Sequence, residues 1–258
     1  MSEVILEKHE HTAVITLNRP ECLNALCVSF MNEISDALDQ VEKDPEIYTL
    51  IITGTGRAFI DGADINEMYG KDKDAIFAWS GVGSTLNLRI ETMAIPVIAA
   101  VNGYALGGGL ELAMACDIRI ASSDAMMGLP ETSLGVISAA GGTQRLPAIV
   151  GEGIAREMIY TGRKITAREA LRIHMVNKVT PPEELMQEAM NMASEINSRG
   201  QLAVRAAKKT ITFARSSGIE EGCMYEREIF SELFGTEDQK NAMGDFLNKE
   251  KKTEFRNK

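Results

Sequence analysis

The sequence predicts an α/β fold, built from stacked ββα units and followed by a helical C-terminal region. Three observations carry this. Short β-rich runs alternate with segments whose apolar residues fall at helical spacing, from Val4 onward. Two of the runs, Tyr48 to Thr53 and Pro96 to Asn102, are nearly continuous in apolar residues, the pattern of strands covered on both faces. From Pro182 to the end, every periodic segment is helical. The expected division is an α/β core over residues 1–195 and a helical region over 196–258. A chain of 258 residues with 45% hydrophobic and 25% charged content can bury a core of that size.

Taken in order, Val4-Ile5-Leu6 and Thr12 to Leu17 alternate as two strands around a polar His9-Glu10-His11 turn, which makes a hairpin. Val28 to Val41 places Phe30, Met31, Ile34, Leu38 and Val41 on one helical face, and Asp44-Pro45 stops it. Tyr48 to Thr53 is a buried strand, Gly54 to Asp64 a loop, and Asp74 to Glu91 a helix. Pro96 to Asn102 and Ile118 to Ala121 are strands on either side of a short helix, Leu110 to Cys116. Beyond Gly141 the pattern turns helical, and Thr166 with Glu169 forms a capping box. Pro182-Glu183-Glu184 suits a first turn, and helices follow at about 183–198, 201–216, 219–234 and 236–248.

Composition removes several functions. A net charge of -10 gives little basis for binding nucleic acid, whose phosphates are held by Lys and Arg. Cys22, Cys27, Cys116 and Cys223 form no CxxC pair, and His9, His11 and His174 lack metal-ligand spacing, so reduced thiols and no metal are expected. The acidic Met1-Ser2-Glu3 runs straight into strand-like alternation, unlike a signal or transit peptide, and cytoplasm is the expected location. Met93 to Cys116 carries one charge, but Asn102-Gly103 and three adjacent glycines break it. It reads as strand, turn and helix, and no membrane association is expected.

That one charge, Glu111, is the most informative residue. Apolar residues surround it on every helical face, so the carboxylate must be paired, protonated or used, and desolvation would raise its pKa toward values suited to proton transfer. The competing reading is a salt bridge to a distant Arg such as Arg145. Gly107-Gly108-Gly109 lets backbone approach a ligand and opens a helix whose free N–H groups could stabilise an oxyanion. A tight strand-to-helix turn would need the same glycines. Neither GxGxxG nor GxxxxGK[ST] is present, so no nucleotide phosphate loop is supported. Phe59 to Ile65 is a second glycine-bearing loop after a strand, with Asp64 as an N-cap. Glu131, in Leu129-Pro130-Glu131-Thr132, would by itself pass as a surface carboxylate. No GxSxG elbow, His-based triad or activated Cys is recognisable.

Five segments, in order and at their spacings, resemble the enoyl-CoA hydratase/isomerase (crotonase) family from about Val4 to the C-terminus. They are Leu17-Asn18-Arg19-Pro20 with Leu23-Asn24-Ala25-Leu26, Gly62-Ala63-Asp64-Ile65, Asn102 to Gly109, Pro130-Glu131, and Gly141 to Leu146. The resemblance implies a crotonase-like core and a C-terminal trimerisation region, giving a homotrimer or homohexamer. Its oxyanion hole would fall on the Ala63 and Gly108 N–H groups, and its two hydratase carboxylates on Glu111 and Glu131. Coenzyme A, as part of the substrate and with no separate cofactor, would lie along Cys22, Leu23 and Ala25 and along Asp61, Ala63, Asp64 and Ile65. Both carboxylates favour reversible hydration of a 2-enoyl-CoA; an isomerase or a specialised dehydratase of the same family is the alternative.

Some positions depart from the pattern. Asp61 stands where a small residue is usual and Asn66 where Lys is frequent, an acidic change beside the CoA path. Ser138 stands where Pro is usual, so that an altered backbone or an added hydroxyl near Glu131 would retune the acyl pocket. His174 replaces a glycine and is expected in a left-handed conformation, which His tolerates better than most residues. Lys249, Lys251 and Lys252 are candidates to reach CoA phosphates, with plain solvated lysines as the alternative.

Overall fold

The computed structural model describes residues 2–249 and 254–258. Strands β1 (Val4–His9) and β2 (Thr12–Leu17) form the expected antiparallel hairpin, with Val4 opposite Leu17 and His9 opposite Thr12. Helix α1 (Val28–Lys43) buries Phe30, Met31, Ile34, Leu38 and Val41, and ends at Asp44. Next come β3 (Thr49–Gly54), β4 (Ala58–Asp61), the short α2 (Ile65–Met68) and the long α3 (Lys73–Thr92). The same order recurs with β5 (Val97–Val101), β6 (Tyr104–Leu106) and α4 (Gly108–Ala115). A third round has β7 (Ile118–Ser122), β8 (Met126–Gly128) and a 3-10 turn (Pro130–Leu134).

In each round the first strand joins one sheet and the second another. The larger sheet has the order β1-β2-β3-β5-β7-β10, with β10 at Lys178–Thr180, and is parallel from β2 onward. The smaller has the order β4-β6-β8-β9, with β9 at Ile165–Thr166. The Gly54 to Asp64 stretch, expected to be a loop, therefore contains a strand. Ala58, Phe59 and Ile60 are fully buried there, but four residues after a glycine turn are too few to display a period.

Both faces of the larger sheet are covered, which is why its strands are apolar throughout. On one face Val14, Ile51, Ile98 and Ile120 pack against Leu185, Ala189 and Ala193 of α8 (Leu185–Asn197). The alternate residues Ala13, Ile15, Leu50, Ile52, Val97 and Ala99 face the main core, shared with α1 and α4. Helices α5 (Gly142–Val150), α6 (Glu152–Thr161) and α7 (Ala167–Arg172) complete this core. Thr166 caps α7 by accepting the Glu169 N–H, as its capping box predicts. His174 has φ 61°, the left-handed conformation expected of it.

The last three helices are α9 (Gln201–Phe213), α10 (Ile219–Leu233) and α11 (Glu237–Asn248). The expected boundary at residue 195 falls in the last turn of α8, which itself covers the sheet. Lys208 of α9 reaches back to Asp117 at 2.7 Å and to the Ile95 carbonyl at 2.8 Å. The α10 and α11 helices bury few side chains and leave Ile219, Phe246 and Leu247 largely exposed. Lys249 ends α11 in a left-handed cap; Lys251 and Lys252 lie outside the described residues. The C-terminal Lys258 carbonyl accepts the Glu237 and Asp238 N–H groups. Among the described residues no helix is long and apolar enough to cross a membrane.

Candidate active site

The crossing between the two sheets creates the site. Where β6 ends and α4 begins, Gly107 adopts φ 50°, ψ -122°, a conformation that a side chain makes costly. Gly109 packs so closely on β4 that a Cβ would overlap the Ile60 carbonyl. These two glycines turn the chain sharply and seat the start of α4 against β4. Gly108, the first residue of the helix, has an N–H that no earlier turn can satisfy.

A second free N–H lies opposite. Leu26 and Ala63 form an isolated parallel bridge, in which the Leu26 N–H donates to Gly62 and its carbonyl accepts from Asp64. That register turns the Ala63 N–H away from Leu26, and it meets no acceptor among the described residues. Ala63 and Gly108 both line a cavity of about 370 Å³, together with Glu111, Glu131, Trp79 and Ile137.

Glu111 sits in α4, 3% exposed. Its Oε1 accepts the Ala140 N–H at 2.8 Å and the Gly142 N–H at 2.7 Å. The salt bridge to Arg145 weighed from sequence does not form. Arg145 pairs with Glu91 at 2.6 Å and donates to the Ala140 carbonyl at 3.0 Å, so it braces the segment that holds Glu111. Burial pushes the Glu111 carboxyl up to about 7, the two N–H groups oppose the rise, and repulsion from Glu131 adds to it.

Glu131 lies in the 3-10 turn after β8, and is not the surface carboxylate its local sequence suggests. Its Oε1 accepts the Ser138 hydroxyl at 2.7 Å, while Oε2 is buried without a hydrogen bond among the described residues. Burial raises its pKa too, and the Ser138 hydroxyl acts against that rise. A buried and a half-buried carboxyl facing one cavity, beside two free peptide N–H groups, can transfer protons on either side of a carbonyl whose oxygen gains charge. Cys116, pushed up to about 12 by complete burial, is an inert thiol; all four cysteines are free. No group of metal-binding side chains occurs among the described residues.

The sequence profile of the enoyl-CoA hydratase/isomerase family matches residues 7–258. The chain belongs to this family. It is 45% identical to a short-chain-enoyl-CoA hydratase of Clostridium acetobutylicum, covering 100% of this chain and 99% of that one. It is 47% identical to a crotonyl-CoA hydratase of Syntrophomonas wolfei over 96% of each. The crystal structure of an enoyl-CoA hydratase from Bacillus anthracis superimposes with a TM-score of 0.95, 36% identity and full coverage of both chains.

In this family member the two expected CoA-binding segments lie side by side. The Asp61 N–H donates to the Leu23 carbonyl at 3.0 Å, and the Leu26–Ala63 bridge continues the contact. Asp61, Ala63 and Ile65 line the cavity; Cys22, Leu23, Ala25 and Asp64 do not. Asp64 caps α2 by accepting the Asn66 N–H, as expected.

Three residues escaped the sequence reading. Asn24, fully buried with φ 58°, accepts the Arg19 N–H and donates to the Ala58 carbonyl at 2.9 Å, tying the 22–25 segment to β4. Glu67 accepts the Trp79 Nε1–H at 2.6 Å and the Val28 N–H at 3.1 Å, fixing the one tryptophan in the cavity wall. Glu91 pairs with Arg145 and also with Arg215, just beyond α9. Asn24 stood inside a recognised motif, and its polar side chain between Leu23 and Ala25 was the available signal. For Glu67, in the four-residue α2, and Glu91, at the end of α3, there was none.

Proposed function

We propose that this chain is an enoyl-CoA hydratase that adds water reversibly to a short 2-enoyl-CoA, giving the 3-hydroxyacyl-CoA. The observation that carries the reading is the convergence of Glu111 and Glu131, from separate elements, on one cavity bordered by the free Ala63 and Gly108 N–H groups. Those two N–H groups hold the thioester oxygen. As water adds at C3, charge moves onto that oxygen as an enolate, and each preorganised donor there contributes about 3 kcal/mol to lowering the barrier.

Glu111, as the carboxylate, takes a proton from the water whose oxygen bonds to C3. Glu131, as the acid, gives a proton to C2 as the enolate collapses. Proton exchange with solvent then returns Glu111 to the carboxylate and Glu131 to the acid, so one water is consumed. Dehydration runs the same steps backward. Repulsion between the two groups favours one shared proton at neutral pH, and their titrations belong to the pair.

CoA runs along Cys22 to Ala25 and Asp61 to Ile65, held largely by backbone groups. The similarity to hydratases named for short-chain and crotonyl substrates supports a short acyl group. The exposed apolar residues of α9 to α11, Ile211, Ile219, Phe246 and Leu247, support assembly as a homotrimer or a hexamer of two trimers. Cytoplasmic residence belongs to the same proposal.

The test is a panel of 2-enoyl, 3-enoyl and 3-hydroxyacyl thioesters, run with the wild type and with Glu111→Gln and Glu131→Gln. Hydration of a short 2-enoyl-CoA is the expected main activity, and each variant should lose about a hundredfold or more in turnover with little change in affinity. Near wild-type hydration by both variants would rule out the two-carboxylate mechanism. Preferred double-bond migration of 3-enoyl substrates would instead make the enzyme an isomerase.

A further inference from the structure

We infer that Ser138 is a positioning residue for Glu131: its hydroxyl anchors one carboxyl oxygen and thereby presents the other to the substrate's C2. The inference rests on the role proposed above for Glu131, and its geometry is independent of it. Ser138 is 6% exposed, lines the same cavity, and donates to Glu131 Oε1 at 2.7 Å. Glu131 sits on a 3-10 turn, and the Ser138 hydroxyl is the one side-chain donor to its carboxyl among the described residues. Gly107 lies beside the same oxygen, close enough that a Cβ there would stand 3.3 Å from Glu131 Oε1. Oε2 is buried and has no hydrogen bond among the described residues. One oxygen is therefore tied and one is free, the division of labour required of an acid that must deliver a proton to a fixed carbon.

Ser138 is held in place in turn. A Cβ on Gly142 would stand 2.8 Å from the Ser138 Cβ and 3.0 Å from Glu111 Oε1, so the Ser138 side chain packs on the segment that also fixes Glu111. The two carboxyls are thus referenced to one short stretch: Glu111 through the N–H groups of Ala140 and Gly142, Glu131 through the hydroxyl of Ser138.

A hydroxyl donor favours the ionised carboxyl, so its loss should raise the proton affinity of Glu131. The other charged groups lining the cavity are Glu111 from α4, Asp61 from β4 and Lys164 ahead of β9. Arg145 of α5 lies behind Glu111 and is engaged by Glu91. None of these donates a hydrogen bond to Glu131, so none replaces Ser138.

The experiment compares Ser138→Ala, Ser138→Thr and Glu131→Gln in the full-length protein, with thermal unfolding as the check of folding. Three readouts are taken: kcat and KM for crotonyl-CoA, the pH profile of kcat/KM, and deuterium exchange at C2 of the 3-hydroxyacyl-CoA in D2O. Ser138→Ala should lower kcat about tenfold, the scale of one hydrogen bond to a charged group. KM should stay within about twofold, the alkaline limb of the profile, which reports loss of the Glu131 proton, should move to higher pH, and C2 exchange should slow in parallel with kcat. Ser138→Thr, which keeps the hydroxyl, should restore the position of the limb. An unaltered limb and C2 exchange in a folded Ser138→Ala protein would overturn the inference. So would a fall in kcat that Ser138→Thr does not reverse and that leaves the limb in place, because that is the behaviour of a packing residue. Glu131→Gln at wild-type rate would instead remove the proposed role of Glu131 itself.

Discussion

Glu111→Gln separates the cost of burying an ionisable acid from the chemistry that the acid performs. The amide retains a carbonyl oxygen able to accept the Ala140 and Gly142 N–H groups, which lie 2.8 and 2.7 Å from Oε1 in the wild type. What it lacks is ionisation. With the folded carboxyl raised from 4.5 to about 7, the native protein binds more protons than the unfolded chain across that interval, and stability falls as the pH rises through it. The stability contributed by the neutral acid is fully present below 4.5 and is lost as the pH passes about 7. At about 1.36 kcal/mol per pH unit over that interval, the loss is about 3 kcal/mol. Solvent screens it little, since Glu111 is almost wholly buried. Glu111→Gln should therefore match the wild type near pH 4.5 and exceed it by about 3 kcal/mol above pH 8, or about 6 °C or more in Tm. Melting curves followed by circular dichroism between pH 4.5 and pH 9 give the comparison. A Tm difference that stays flat with pH, or a variant less stable than wild type at pH 8, would refute the reasoning.

Two further outcomes follow from the geometry. Gly107→Ala puts a Cβ at a backbone conformation of φ 50° and 3.3 Å from Glu131 Oε1. It should destabilise by about 1–3 kcal/mol and lower turnover by displacing Glu131; a wild-type urea midpoint together with a wild-type kcat would contradict both parts. The exposed apolar faces of α10 and α11 should be covered by neighbouring subunits, so light scattering should give a trimer or hexamer. A stable, fully active monomer at micromolar concentration would send those helices back to their own core.

What could be read from the sequence was whatever has a long period. The β1–β2 hairpin, α1, α3 and the four last helices each repeat an apolar spacing enough times to be recognised. The smaller sheet was illegible because β4, β6, β8 and β9 span two to four residues each and take their strand character from pairing across rounds of the chain. Glu111 was legible because a charge in an apolar helix has few explanations. Its partners were not, because they are peptide N–H groups of Ala140 and Gly142, which every sequence contains. Arg145 was the natural guess, and it missed because Glu91, 54 residues before it, is nearer in space. Glu131 depended wholly on resemblance, since the shielding of its carboxyl comes from the way α6 and the start of α4 pack on the 3-10 turn.

The two N–H groups at Ala63 and Gly108 belong to the main chain, and this divides the site into a part that substitution can edit and a part it can hardly touch. Any residue but proline supplies the same amide, so the proposed grip on a thioester oxygen would survive most point changes that leave the β4 and α4 backbones in place. In the proposed mechanism the fate of the enolate rests, by contrast, on three side chains, at 111, 131 and 138. A designer seeking a different reaction on the same acyl-CoA would leave the backbone alone and rewrite those three positions, starting at 138, where a one-atom deletion alters the acid without removing it.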